Sequence, residues 1–202
     1  MRFASSLLSS AALVATLALT ACNAPQDHNA ASVPASPTSS STTSAAPVAS
    51  ASAGMNTPLT VAQVKVRMTL QGAPTVSADG QSIVVNVDLS NDGAVALEST
   101  GSYPVNLGAH SVDAAGKIVL YDFARAALPS AIAANDHAVV SLKISAENSL
   151  GYSVQISPVQ EGVAWFDNLG VSPLTVGPFK TCYEGAQGKV CDAEGKALVI
   201  NE

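Results

Sequence analysis

Basic and aromatic side chains are both scarce in this 202-residue chain, with nine Lys and Arg against fifteen Asp and Glu, 4% aromatic residues and a single Trp. Without clustered Lys and Arg there is no counterion-release term to hold a polyanion, which excludes nucleic acid as a partner and disfavours anionic lipid surfaces. Histidine is equally thin: His28, His110 and His137 are scattered, and no further Cys or His stands at ligand spacing, so neither a metal site nor any other cofactor is expected. There is no G-x-S-x-G elbow and no glycine loop between a strand and a helix. Nucleophilic hydrolysis and phosphate cradling therefore lack their usual carriers, and no catalytic residue is assigned. After residue 22 no apolar run of about 18 residues occurs, which is the length a membrane-crossing helix needs.

What is present begins at the N-terminus, where Arg2 precedes an apolar run over residues 4–19 and the tetrapeptide "LTAC". This is an export signal. Leu19, Thr20 and Ala21 before Cys22 resemble a bacterial lipobox, which implies cleavage after residue 21 and a lipid-modified Cys22 at the start of the mature chain. Two or more acyl chains give stable anchoring, so the implied partner is a membrane held by lipid, not spanned. Asn23 after the cysteine resembles the outer-membrane sorting pattern of Gram-negative lipoproteins, implying a bacterial envelope location facing the periplasm. Loss of Arg2 with the signal leaves 8 − 15 = −7 charges.

Residues 30–53 are only Ala, Ser, Thr, Val and Pro, with no large side chains to offset backbone ordering entropy. The segment 22–57 is expected to be a disordered tether with a reach on the order of 30 to 35 Å. With Cys22 acylated, Cys182 and Cys191 remain as an even pair in an oxidising compartment. The two glycines between them let the chain turn back, and a disulfide is expected.

From residue 58 the pattern changes to short period-two runs separated by glycine turns. Val64, Val66, Met68 and Leu70 alternate with Lys65, Arg67 and Thr69; Val85, Val87 and Leu89 alternate with Asn86, Asp88 and Ser90. Val140, Leu142 and Ile144, then Tyr152, Val154 and Ile156, and finally Leu174 and Val176 mark later strands, with turns at "ADGQ", "NDGA" and "AAGK". The passage "KIVLYDFARAAL" reads as one strand followed by an irregular or briefly helical piece before Pro129. Eight or nine strands without a long amphipathic helix predict an all-β, antiparallel two-layer sandwich over residues 58–202. In "NSLGYSVQI", Tyr152 directly follows Gly151 at a strand start, resembling the tyrosine corner of immunoglobulin-like sandwiches.

The order "VNLGAHSVDAAGKIVLYDFARAALP", "SLGYSVQISPVQEGVAWF" and "GVSPLTV" resembles an accessory immunoglobulin-like module of bacterial cell-surface glycan-synthesis proteins. Arg125, Leu128, Pro129, Gly151, Tyr152, Glu161, Gly162, Trp165 and Phe166 carry the match. Ala126 and Ala127 interrupt it, and the Cys-bearing tail is additional. The resemblance implies an immunoglobulin-like fold and an association with envelope carbohydrate. It implies no catalytic residues.

The lone tryptophan lies in "VQEGVAWFDNLG". Three readings stay open: packing, a ligand site in which Trp165 or Phe166 offers a ring while Glu161 and Asp167 bond hydroxyls, or a contact with another envelope protein. Along a strand one ring of the pair faces the core and the other lies outward or under a loop. Glu161 can pair with Arg125, Gly162 permits a bulge, and "DNLG" is a turn. The expected function is a non-catalytic binding or assembly module on a lipid anchor. The alternative is a carbohydrate-active or hydrolytic accessory protein of the envelope, for which converging carboxylates in a deep cleft would be required.

Overall fold

The computed structural model describes residues 57–201; the expected export signal, lipidation at Cys22 and tether up to residue 56 lie outside them. In chain order the strands are β1 (Val66–Leu70), β2 (Thr75–Ser77), β3 (Ser82–Asn91), β4 (Val105–Val112), β5 (Ile118–Ala127) and β6 (His137–Ser145). A single helical turn, α1 (Ala146–Ser149), precedes β7 (Ser153–Gln160), β8 (Ala164–Trp165), β9 (Leu174–Val176), β10 (Lys180–Glu184), β11 (Gln187–Cys191) and β12 (Val199–Asn201).

These strands form an all-β sandwich of mainly antiparallel sheets. In the first sheet β3 pairs along one edge with β6 and along the other with β1 and then β2, while β12 adds in parallel to β2. In the second sheet the order is β5, β4, β7, with β8 and β9 sharing the far edge of β7. Thus the chain changes sheet after β3, after β5 and after β6, and after β9 it passes through the separate β10–β11 hairpin before β12 rejoins the first sheet. The period-two pattern explains which faces meet: Ile83, Val85 and Val87 lie directly opposite Ile144, Leu142 and Val140, all buried. Leu107 and Ala109 of β4 with Val154 and Ile156 of β7 close the core from the other sheet.

Several details differ from the sequence expectation. The passage "IVLYDFARAA" is not partly helical; it is one ten-residue strand whose register slips against β4, from Ala109 opposite Ala124 to Ser111 opposite Leu120. The extra residues are absorbed in a bulge that places Asp122 at φ 54°, a left-handed conformation that Asp tolerates better than most residues. "NDGA" does not join two strands. There Asn91, fully buried, donates from Nδ2 to the carbonyls of Val95, Ile132 and Ala133 and accepts the Gly93 N–H, so one amide organises two loops.

Tyr152 is not a tyrosine corner either. Its side chain is 38% exposed, and the corner is tied by backbone instead, Gly151 N–H to the Phe179 carbonyl and Phe179 N–H to the Tyr152 carbonyl. Three C-terminal strands, β10 to β12, are additional to the sequence expectation; their residues, mostly exposed, have no apolar alternation. The expected disulfide is present: Cys182 and Cys191 are bonded across the β10–β11 hairpin with Cα atoms 5.9 Å apart. At the opposite end of the sandwich Gln160, buried, donates to the carbonyls of Thr57 and Tyr103 and accepts the Leu59 N–H. That amide fastens the first described residues to the end of β7.

Candidate functional site on the outer face of the second sheet

Along β4 the residues Leu107 and Ala109 point into the core, so Asn106, Gly108 and His110 point out of the sandwich. Gly108 stands opposite Arg125 of β5 on one side and Ser157 of β7 on the other. Trp165, paired with Val159, belongs to this outer face. Its indole lies across the sheet on Gly108, so close that a Cβ there would stand 2.5 Å from Cη2 and 2.8 Å from Cζ3. Glycine in a strand interior marks such a close approach.

A second layer covers the indole. The Arg125 guanidinium sits 4.4 Å from the Trp165 ring centroid, a cation–π arrangement. Its Nε is 2.8 Å from Asp122 Oδ1 and its Nη2 donates to Asp122 Oδ2 at 2.9 Å. Nη1 lies 3.4 Å from Glu161 Oε1, which also accepts from Asn106 Nδ2 at 2.6 Å. The Arg125–Glu161 pair expected from sequence is therefore formed, and the β5 bulge adds Asp122 to it. Gly162, at φ 71°, sits in the tight turn from β7 to β8, where Val163 N–H bonds the Gln160 carbonyl. It is a turn residue and not the bulge anticipated.

His110 is 1% exposed and lies between two rings: Tyr121 stacks on it at 4.3 Å with an 18° interplanar angle, and Trp165 tilts against it at 3.9 Å. The Asp122 N–H donates to His110 Nδ1 at 3.0 Å. Because Nδ1 is an acceptor, the proton of the neutral ring is on Nε2. Burial pushes the pKa below the ordinary value, Arg125 adds to that, and Asp167 and Asp122 oppose it. His110 Nε2 and Asp167 Oδ1 are buried and have no hydrogen-bond partner among the described residues. The Asp167 N–H is bonded to Ser157 Oγ at 3.2 Å.

The rings of "WF" point to opposite sides, as alternation predicts. Phe166 is fully buried in the core and offers no surface to a ligand or partner. Trp165 faces outward yet is only 6% exposed, because Arg125, Tyr121 and His110 surround it. Glu161 and Asp167 are partly exposed. The exposed ring is Tyr121, 55% accessible, which sequence reading passed over inside an apolar run. Asn106, Gly108, His110 and Asp122 were also unassigned; a glycine between Leu107 and Ala109 in a strand was the one available signal.

Two clefts lie elsewhere. One of about 490 Å³ separates the C-terminal hairpin from the sandwich, lined by Val76, Leu150, Val190, Leu198 and Ile200, with Glu147 as its one carboxylate. The other, of about 580 Å³, runs beside β1 and contains Asp92, which is paired with Arg67. Among the described residues no three His, Cys, Asp or Glu gather as metal ligands. No family model fits the chain, and neither a curated protein nor a solved structure matches it.

Proposed function

We propose that the protein is a lipid-anchored lipoprotein of the bacterial envelope whose sandwich is a non-catalytic binding or assembly module, with the outer face of the second sheet as its contact surface. One observation carries this: an accessible Tyr121 ring held flat on buried His110, beside a guanidinium fixed by Asp122 and Glu161. A rigid aromatic plate next to oriented polar groups is what a recognition surface needs, since little conformational entropy is lost on binding. "LTAC" at residues 19–22 and the Ala/Ser/Thr/Pro tether support the anchor and the reach. The resemblance of residues 105–179 to accessory modules of glycan-synthesis proteins supports an envelope partner, glycan or protein.

The hydrolytic alternative draws less support. Acid–base cleavage of a glycoside wants two carboxylates flanking the bond. Asp122 and Glu161 both turn toward Arg125, and each cleft holds a single carboxylate. The proposal is tested by placing a photo-crosslinking residue at position 121 in the native envelope, with position 69 on the other sheet as control. Adducts from 121 and none from 69 are expected, and Cys22→Ala should release the protein from the membrane fraction. Absence of adducts from a correctly anchored protein overturns the contact face.

A further inference from the structure

Resting on that contact face, we propose that its ligand is a saccharide bearing free amino groups, with one pyranose ring stacked on Tyr121 and its ammonium group held by the Asp122–Glu161 edge. The shape of the face fits a pyranose ring. One face of Tyr121 is occupied by His110 in near-parallel stacking, and the ring is 55% accessible. Trp165 backs His110, so the plate is supported through two layers. An exposed, immobilised ring of this kind accepts the C–H face of a sugar.

Charge points the same way. Asp122 and Glu161 both pair with Arg125, so two carboxylates share one guanidinium and one negative charge stays uncompensated, while Asp167 adds a further carboxylate beside His110. Anionic sugars and nucleotides are repelled by such a face, and a cationic one is attracted. Glu161 spends only Oε1 on Asn106 and Arg125, leaving Oε2 as a free charge-assisted acceptor.

The test uses the full chain purified in detergent and titrated with a glucosamine hexamer, its fully N-acetylated counterpart and a galacturonate hexamer. The amino form should bind at least tenfold more tightly than the acetylated form, and the galacturonate should not bind. Tyr121→Ala should abolish binding of both glucosamine oligomers in a protein that stays folded by circular dichroism, and Glu161→Gln should remove the preference for the amino form. Equal affinity for the amino and acetylated forms, or tight binding of galacturonate, overturns the charge assignment. Full binding by Tyr121→Ala overturns the site. If crosslinks at position 121 capture a protein while no oligomer binds, the saccharide is wrong and the contact face stands; if neither occurs, both fall.

Discussion

The indole of Trp165 rests on the backbone of Gly108, with no room between them for a methyl group. That contact makes β4 buried on both faces: Leu107 and Ala109 are covered by the core, Gly108 and His110 by an aromatic and cationic lid. Residue 108 is therefore a position at which a small increase in volume reaches the proposed contact face.

Gly108→Ala should lower unfolding free energy by about 1 to 3 kcal/mol, the usual cost of overpacking a filled site. Native Trp165 fluorescence should shift to longer wavelength as the ring lifts. In a Trp165→Leu background the same change should cost markedly less. Chemical denaturation of the four proteins reads this directly, and an equal cost in both backgrounds would show that the ring is not what Gly108 accommodates.

Arg125 links β5 to the β7–β8 turn through Glu161. Both side chains are about one-third exposed, so solvent screens the pair and the coupling is modest. A double-mutant cycle with Arg125→Met and Glu161→Gln should give a coupling of about 0.5 to 1 kcal/mol, falling in high salt. Strictly additive losses would remove the clamp as a stabilising unit.

His110 sets a pH dependence whose sign follows from its burial. Unfolded, the ring titrates near 6.5; folded, it takes its proton only at lower pH, so the unfolded state binds more protons in between. Its contribution to stability is full above about pH 6.5 and is lost as pH falls toward the depressed folded value. His137 acts oppositely: its hydrogen bond to Asp88 raises its pKa, which stabilises the fold below about 6.5 and fades as pH rises through the raised value. Unfolding curves of wild type and His110→Gln between pH 4.5 and 8 should diverge on the acid side, both in a His137→Ala background. Parallel curves would count against a neutral buried His110.

Asn91→Ala should cost about 2 to 4 kcal/mol, since three loop carbonyls and the Gly93 N–H lose their partner together. Faster amide exchange at Leu97 and Ile132, whose backbones pair with each other, should accompany the loss. Exchange unchanged at both sites would separate the loops from this side chain.

Strands β3, β6 and β7 were legible from alternation because a half-buried strand has to repeat every second residue: Val85, Val87 and Leu89 have no other stable placement. The disulfide was legible because Cys182 and Cys191 stand close in sequence around glycines. β5 was misread in its second half because a bulge resets the period. The C-terminal strands β10 to β12 were missed because exposed strands need no apolar side chains, so their pairing leaves no mark on composition.

The same division holds for the contact face. Alternation alone required Trp165 and Phe166 to point to opposite sides, and the composition alone required an acidic net charge. Which ring entered the core depended on the register that sets Trp165 opposite Val159. Tyr121 met His110, and Asp122 met Arg125, only because the bulge at Asp122 turned those residues onto β4. Pairing across strands is a long-range choice made by the packed core, and local pattern records which faces are apolar without recording which strand each face will lie beside.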